Sequence, residues 1–277
     1  MLKQICVAGA IFVSLGVQAQ TISLTKGQKL QTRVVTSMNV GMEMLGQNIE
    51  TISKSTNTST IEVKDITNDK YVLSGTLTRM EMHSSAMGQT LDFDSDKKED
   101  REGEVGKVLS GRLDKAQEIQ VDKQGKISSI QAIDSAGNNF ADQLNFAEQM
   151  AQGQPYPYLL PLSNTGKLKS GDSWVDSTGS NETIKVITTY TVKSVSADEV
   201  NISFTAKTTK SGTTDVQGMP MEVNIAGNTT GSATYETGTG LLKQNNAVST
   251  IKGDIGAMGG KSPITISNTV STTVSKL

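Results

Sequence analysis

Ile184-Lys185-Val186-Ile187-Thr188-Thr189-Tyr190-Thr191-Val192-Lys193 is the stretch on which the fold turns. Ile184, Val186, Thr188, Tyr190 and Val192 share one parity, and Lys185, Thr189, Thr191 and Lys193 the other. Successive strand residues point to opposite faces, so this alternation describes a strand with one buried and one wet side. Strands of that kind belong to antiparallel sheets. Val200, Ile202, Phe204 and Ala206 repeat the pattern, as do Ile264, Ile266, Val270 and Val274. The chain carries 33 Thr and 29 Ser. Threonine suits a pleated strand through its branched Cβ, while its hydroxyl tolerates water. Turn signals such as Thr67-Asn68-Asp69, Asp122-Lys123-Gln124-Gly125 and Thr237-Gly238-Thr239-Gly240 punctuate the strands. The fold class expected is mainly β: antiparallel curved sheet or sheets from two similar halves, with one helix between them.

One segment breaks the period. From Asn138 to Gln152, Phe140, Leu144, Ala147 and Ala151 recur at helical spacing, with an Asn cap available before them and Gly153 after. Pro155-Tyr156-Pro157-Tyr158-Leu159-Leu160-Pro161 follows as an extended connector that holds three of the five prolines. The two sides of this seam look alike. Ser59-Thr60-Ile61-Glu62-Val63-Lys64-Asp65-Ile66 aligns with Thr188-Thr189-Tyr190-Thr191-Val192-Lys193-Ser194-Val195, 129 positions later. Lys26-Gly27-Gln28 and Ser170-Gly171-Asp172 open the two halves in the same way. The division expected is a signal peptide over 1–19, a first β half over 20–137, helix and connector over 138–165, and a second β half over 166–277.

Composition bounds the chemistry. Hydrophobic residues make up 35% and aromatics 4%, so the core is thin and built from aliphatic and thioether side chains. A net charge of −2 gives no electrostatic case for nucleic acid. Lys3, the apolar run Ile5 to Val17 and the Val17-Gln18-Ala19 cleavage pattern read as a secretory signal. That run is too short to span a membrane, and no other is longer. Cleavage after Ala19 removes Cys6, the one cysteine, and with it thiol and disulfide chemistry. The expected location is therefore exported, periplasmic or extracellular.

Leu24-Thr25-Lys26-Gly27-Gln28, the proline connector and Leu168-Lys169-Ser170-Gly171-Asp172-Ser173-Trp174 carry a resemblance to a family of secreted proteins of unknown function, known mainly from Bacteroidota. The architecture also resembles exported lipid-handling β proteins, in which a curved antiparallel sheet wraps a helix. That second resemblance implies a lipid-like ligand.

Methionine supplies the candidate site. Met42 and Met44, Met80 and Met82, and Met219 and Met221 are i, i+2 pairs, each turned to one face of a strand. They can fill gaps in a ring-poor core, line an adaptable apolar cavity, or offer soft sulfur to Cu(I), with His83 beside Met82 as a nitrogen ligand. Asp92-x-Asp94-x-Asp96 opens like a calcium loop but has Lys97 at the glycine position, so it reads as a wet strand running into a charged turn. His83 is the one imidazole, with no nucleophile or metal motif beside it, so no catalytic residue, metal or cofactor is assigned. The function expected is non-catalytic binding of a hydrophobic or lipid-like ligand in a Met- and aliphatic-lined concavity. The alternatives are a cell-envelope interaction module without a small-molecule site, and Met-based Cu(I) binding.

Overall fold

The computed structural model describes residues 22–44, 47–109, 112–131, 150, 152–161, 168–178, 184–216, 219–257 and 260–277. Residues 1–19, read as a signal peptide, and most of 138–152, read as a helix, lie outside the described residues. Among those described, the first half contributes β1 (Lys29–Met44), β2 (Gln47–Ile66), β3 (Lys70–Ala86), β4 (Gln89–Asp94), β5 (Ala116–Asp122) and β6 (Ile127–Ile130). The second contributes β7 (Ser173–Thr178), β8 (Ile184–Val195), β9 (Glu199–Val216), β10 (Met219–Glu236), β11 (Leu242–Ala257) and β12 (Gly260–Lys276). Two short helices, α1 (Lys98–Glu102) and α2 (Glu104–Leu109), stand between β4 and β5, where the sequence reads as a charged turn.

All twelve strands form one antiparallel sheet in the order β6-β5-β3-β2-β1-β12-β11-β10-β9-β8-β7, with β4 beside β3. The halves meet where β1 pairs β12, from Leu30 opposite Lys276 to Met42 opposite Ile264. The sheet is open, with β6 and β7 at its ends. It curls so that Lys126 at the foot of β6 comes within 3.9 Å of Asp176 on β7.

The internal duplication is written in the hydrogen bonds. Gly27 N–H donates to Val63 O and Val63 N–H to Gln28 O; Gly171 N–H donates to Val192 O and Val192 N–H to Asp172 O. The β2/β3 register slips between Val63 and Asp65, and the β8/β9 register between Val192 and Ser194, the same 129-residue offset. A bulge kinks a strand and strengthens its twist, so each half bends at the same place. The Thr67–Lys70 and Ser196–Glu199 turns close through matching bonds of 2.9 and 2.8 Å.

The core lies at the curled end of the sheet, under the connector. Tyr156 and Leu159 pack with Leu30, Val63, Leu73 and Val121 of the first half. Leu160 packs with Val192, Val200, Ile202 and Leu242 of the second. Tyr156 N–H donates to Gly125 O and Leu160 N–H to Gly240 O, so each half holds the connector by an equivalent bond. Tyr156 is wholly buried, which pushes its phenol pKa well up. Val274 of β12 touches both clusters. The proline segment, read from sequence as a seam, is thus the wedge that fills the curl.

Candidate ligand-binding face

The register fixes which residues share the inner face. Leu30 and Val34 of β1 are buried, so the even residues of β1 point inward and Arg33 and Glu43 outward. Carried across the pairings, Ile264 to Val274 of β12, Asn245 to Ile255 of β11 and Val223 to Ala233 of β10 take inward positions at every second residue. None of these inward residues is charged. At the hairpin end, Val223, Ile225, Ile264 and Ile266 form a buried apolar patch with Met38, Val40, Ile251 and Ile255 against it. The outer face of the same strands carries Lys252, Asp254, Arg33 and Glu222.

Met42, Met80, Met82 and Met221 share this face but not one place on it. Met80 and Met82 of β3 pack together with Phe93, Leu113, Leu77 and Val105. Met42 stands opposite Ile49 and Ile264 near the β1–β2 hairpin, and Met44 opposite Gln47. Met219 and Met221 stand opposite Val216 and Thr214, beside the β9–β10 hairpin. Met82 lies in the row of Thr36, six residues from Met42 and two strands away. At about 3.3 Å per residue the offset along the strand alone is roughly 20 Å. Met38 extends the aliphatic patch, whereas Met87 is 74% exposed in a turn.

His83 sits on the outer parity. Its Nδ1 is 2.6 Å from Asp92 Oδ1, and both side chains are more than half exposed. Met82 therefore turns away from its neighbouring imidazole, and the two do not address one ion. Asp94 and Asp96 belong to an ion-pair network: Arg79 reaches Glu81, Asp94 and, through Nε, Asp96. The Asp96 backbone N–H and the Arg79 cation hold the Asp94 carboxyl below its ordinary pKa. Among the described residues no group of three His, Asp or Glu side chains is placed to hold a metal.

Two features of the face escape a reading by periodicity. The first is aromatic. Trp174 stacks on Tyr190 at 5.3 Å and Tyr190 leans on Phe204 at 6.2 Å, a strip across β7, β8 and β9. Burial, with the Asp176 carboxylate nearby, pushes the Tyr190 phenol to about 12. The second is polar. Among the described residues, Thr32 Oγ1 and the side-chain oxygens of Asn57, Asn245 and Asn268 are buried and find no hydrogen-bond partner. An orphaned buried acceptor costs about 1–3 kcal/mol, and asparagine is depleted in strands, so three on one face of four adjoining strands is expensive. The signal was available in the sequence, since these asparagines occupy positions of apolar parity.

Elsewhere, a shallow groove of about 580 Å³ crosses the outer face of β1, β12, β11 and β10. Its lining mixes Ser, Thr and Asn with Val35, Ala247, Val248 and Val270, and Val248 is 54% exposed.

The fold and this face define an open, curled antiparallel β-sheet protein made by duplication of one unit. The chain belongs to the family of unknown function DUF6263, whose profile matches it twice, over residues 68–156 and 159–242. The break between the two matches falls in the connector. No curated protein matches the chain. Among solved structures, lipovitellin, described for its lipid–protein interactions, is similar with a TM-score of 0.54 at 10% identity, over 91% of this chain. The chain spans 25% of the length of that protein, and the likeness is one of fold. An outer membrane channel from Pseudomonas putida F1 aligns over 95% of this chain and 100% of its own at 9% identity, with a TM-score of 0.26. Among the described residues no helix is long and apolar enough to cross a membrane.

Proposed function

We propose that the protein is exported and acts without catalysis, binding a hydrophobic or lipid-like ligand against the inner face of its curled sheet. The observation that carries this reading is the inner face itself. Across β1, β12, β11 and β10 it is uncharged, aliphatic and thioether-rich, while the outer face of the same strands is charged and polar. Apolar side chains supply affinity for acyl or ring systems through burial, and flexible methionines such as Met38 and Met42 accept varied shapes. The fold-level likeness to lipovitellin, a protein studied for lipid interactions, supports the same reading.

The test is native mass spectrometry of the full chain purified from cells, with titration of the apolar fluorophore N-phenylnaphthylamine. Co-purifying intact lipid masses and saturable fluorescence are expected. Protein that is entirely apo and gives no saturable signal overturns the binding reading; accumulation of hydrolysed lipid overturns the non-catalytic one.

A second reading has one observation in its favour. β7 ends the sheet, and Val175 on it is 63% exposed, which suits capture of an envelope protein by strand addition. It expects the fluorophore to be ignored and β7 substitutions to abolish partner capture.

A further inference from the structure

The antiparallel order puts four hairpin turns at one end of the sheet, those joining β1 to β2, β3 to β4, β9 to β10 and β11 to β12. Each turn lies inside an uncharged run of sequence: 44–49, 84–91, 216–221 and 255–260. Each run holds methionine, at Met44, at Met87, at Met219 and Met221, and at Met258. Turns at the opposite end each carry a carboxylate, at Asp69, Asp122, Asp198 and Glu236, and none of these holds methionine. Met87 is 74% exposed, more than any other large apolar side chain among the described residues. Gln47 and Gly260, beside two of the other turns, are exposed as well.

The register sets these turns on one rim. Ala86 stands level with Val40 through Thr51, so the β3–β4 hairpin ends four residues short of Met44. Met42 stands opposite Ile264, so Gly260 of β12 reaches two residues past Met44. Glu222 stands opposite Gly256, so Met219 of β10 reaches two residues past Ala257. The stagger keeps one sense across the sheet. Two residues along against two strands across is about 6.6 Å against about 9.6 Å, a slope of roughly 35°, the tilt of strands in a sheet that curls toward a barrel. The tips therefore fall on a rim square to the axis of the curl. The β7–β8 connection, which holds Glu182, is set back from it: β8 begins at Ile184, opposite Lys210 and six residues short of Val216.

A flat apolar partner explains why turns on opposite sides of the sheet share one composition. Exposed methionines gain by burying their surface, and an uncharged tip enters a lipid interface without desolvating an ion. Glu43, Asp215, Glu222 and Lys261 stand just behind the runs, three acidic to one basic, so the rim has no attraction for anionic lipid. Inside the rim, the patch of Val223, Ile264 and Met38 continues the apolar surface. We infer that this rim seats on a neutral lipid surface, with Met87 and the neighbouring hairpin ends dipping into the interface and the aliphatic patch opening onto it. The inference needs no ligand in the sheet.

The experiment floats the full chain with vesicles of dioleoyl phosphatidylcholine, alone or mixed with dioleoyl phosphatidylglycerol, at low and high salt. Flotation is expected on the neutral vesicles, no stronger on the anionic ones, and insensitive to salt. Met87→Asp weakens it about tenfold, the burial of one methionine, while Asn68→Asp, the same charge at the opposite end, leaves it unchanged. Both are exposed turn positions, and Met87 has φ +51°, where Asp is tolerated, so melting temperatures stay near the parent's. Met87→Trp supplies a second measurement. Its fluorescence is expected to be quenched by vesicles of brominated phosphatidylcholine, whereas Asn68→Trp and the parent, with Trp174 alone, are not quenched. Vesicles held only by the apolar run 5–17, common to every variant, would leave position 87 unquenched and the two Asp variants equal. Either result, or no flotation, overturns the inference, as does capture of an envelope protein by the same tips when vesicles are ignored. Saturable N-phenylnaphthylamine binding without flotation removes this inference and leaves the ligand-binding reading; flotation without it does the reverse.

Discussion

The two halves share a base and differ above it. At the base, Gly27–Val63 and Gly171–Val192 make the same reciprocal backbone bonds, the bulges match, and each half supplies a glycine, Gly125 or Gly240, to the connector. Above the base, the second half runs β9 and β10 as uninterrupted 18-residue strands with a ring strip on its inner side. In the first half, six-residue β4 gives way to α1, α2 and a separate β5, and its inner side carries Met80 and Met82 against Phe93. What duplication retains is the hinge that sets the curl; what diverges is the surface presented to the interior.

The largest expected effect tests the shared wedge. Leu160 is 1% exposed and joins the connector to the second half, so Leu160→Ala should cost about 2–5 kcal/mol. Trp174, the one tryptophan, lies in the second half, so its fluorescence follows that half while far-ultraviolet circular dichroism follows the whole sheet. Because β1 and β12 fuse the halves, both signals should shift together in urea. Separate transitions would make the halves independent units.

The next effect tests how equivalent the two base glycines are. Gly125 has φ +85°, and an added Cβ would lie 2.8 Å from Ile22 Cδ1 and 3.2 Å from Leu160 O. Gly240 has φ +69°, with nothing nearer than Ile22 Cγ1 at 3.2 Å. Alanine at either site is strained in the left-handed region, by about 1–3 kcal/mol. Gly125→Ala should be the more damaging, because it also presses on a backbone oxygen. Equal losses in denaturant midpoint would show that backbone strain alone decides.

Much of the base was legible in the sequence, because it is local. Alternation marked β8 and β9, and the 129-residue match fell on the segment that carries the common bulge. The upper walls were not legible, because they depend on pairing between distant strands. Met80 and Met82 share a face as their spacing requires, but which row they occupy follows from a slipped register between Thr58 and Ser59 that no spacing reveals. β1 meets β12 across almost the whole chain, so nothing local announces that the Asn57 and Asn245 rows coincide. The charged run 97–102 looked like a turn because its short helix buries nothing and so shows no apolar period.

A smaller effect tests whether the insertion of the first half matters to the frame. Arg79 ties β3 to Asp94 and Asp96 but is 42% exposed, and exposed ion pairs are screened. Arg79→Gln should therefore cost about 0–1 kcal/mol and leave the Trp174 transition where it was. A larger loss, or a shifted tryptophan signal, would show that the insertion supports the curl.

The smallest effect is in acid, where both halves hold carboxylates below their ordinary pKa. In the first half the Lys26 ammonium does this to Asp65; in the second, the Thr239 hydroxyl and Lys276 do it to Glu236. A depressed folded pKa adds stability that is fully present above the unfolded value and is lost as pH falls through the folded one. Stability should therefore be level above the ordinary values of 3.8 for Asp and 4.5 for Glu, and decline below them. The partners differ in reach. Lys26 and Asp65 close the opening turn onto β2 within one half, whereas Glu236 on β10 grips Lys276 at the end of β12, one strand beyond its neighbour β11. Glu236→Gln should flatten the acid limb of the Trp174 melting curve more than Asp65→Asn does. The opposite ranking would place the acid-sensitive contact in the first half, and would mean that the ion pair spanning three strands adds nothing to the pair made within a turn.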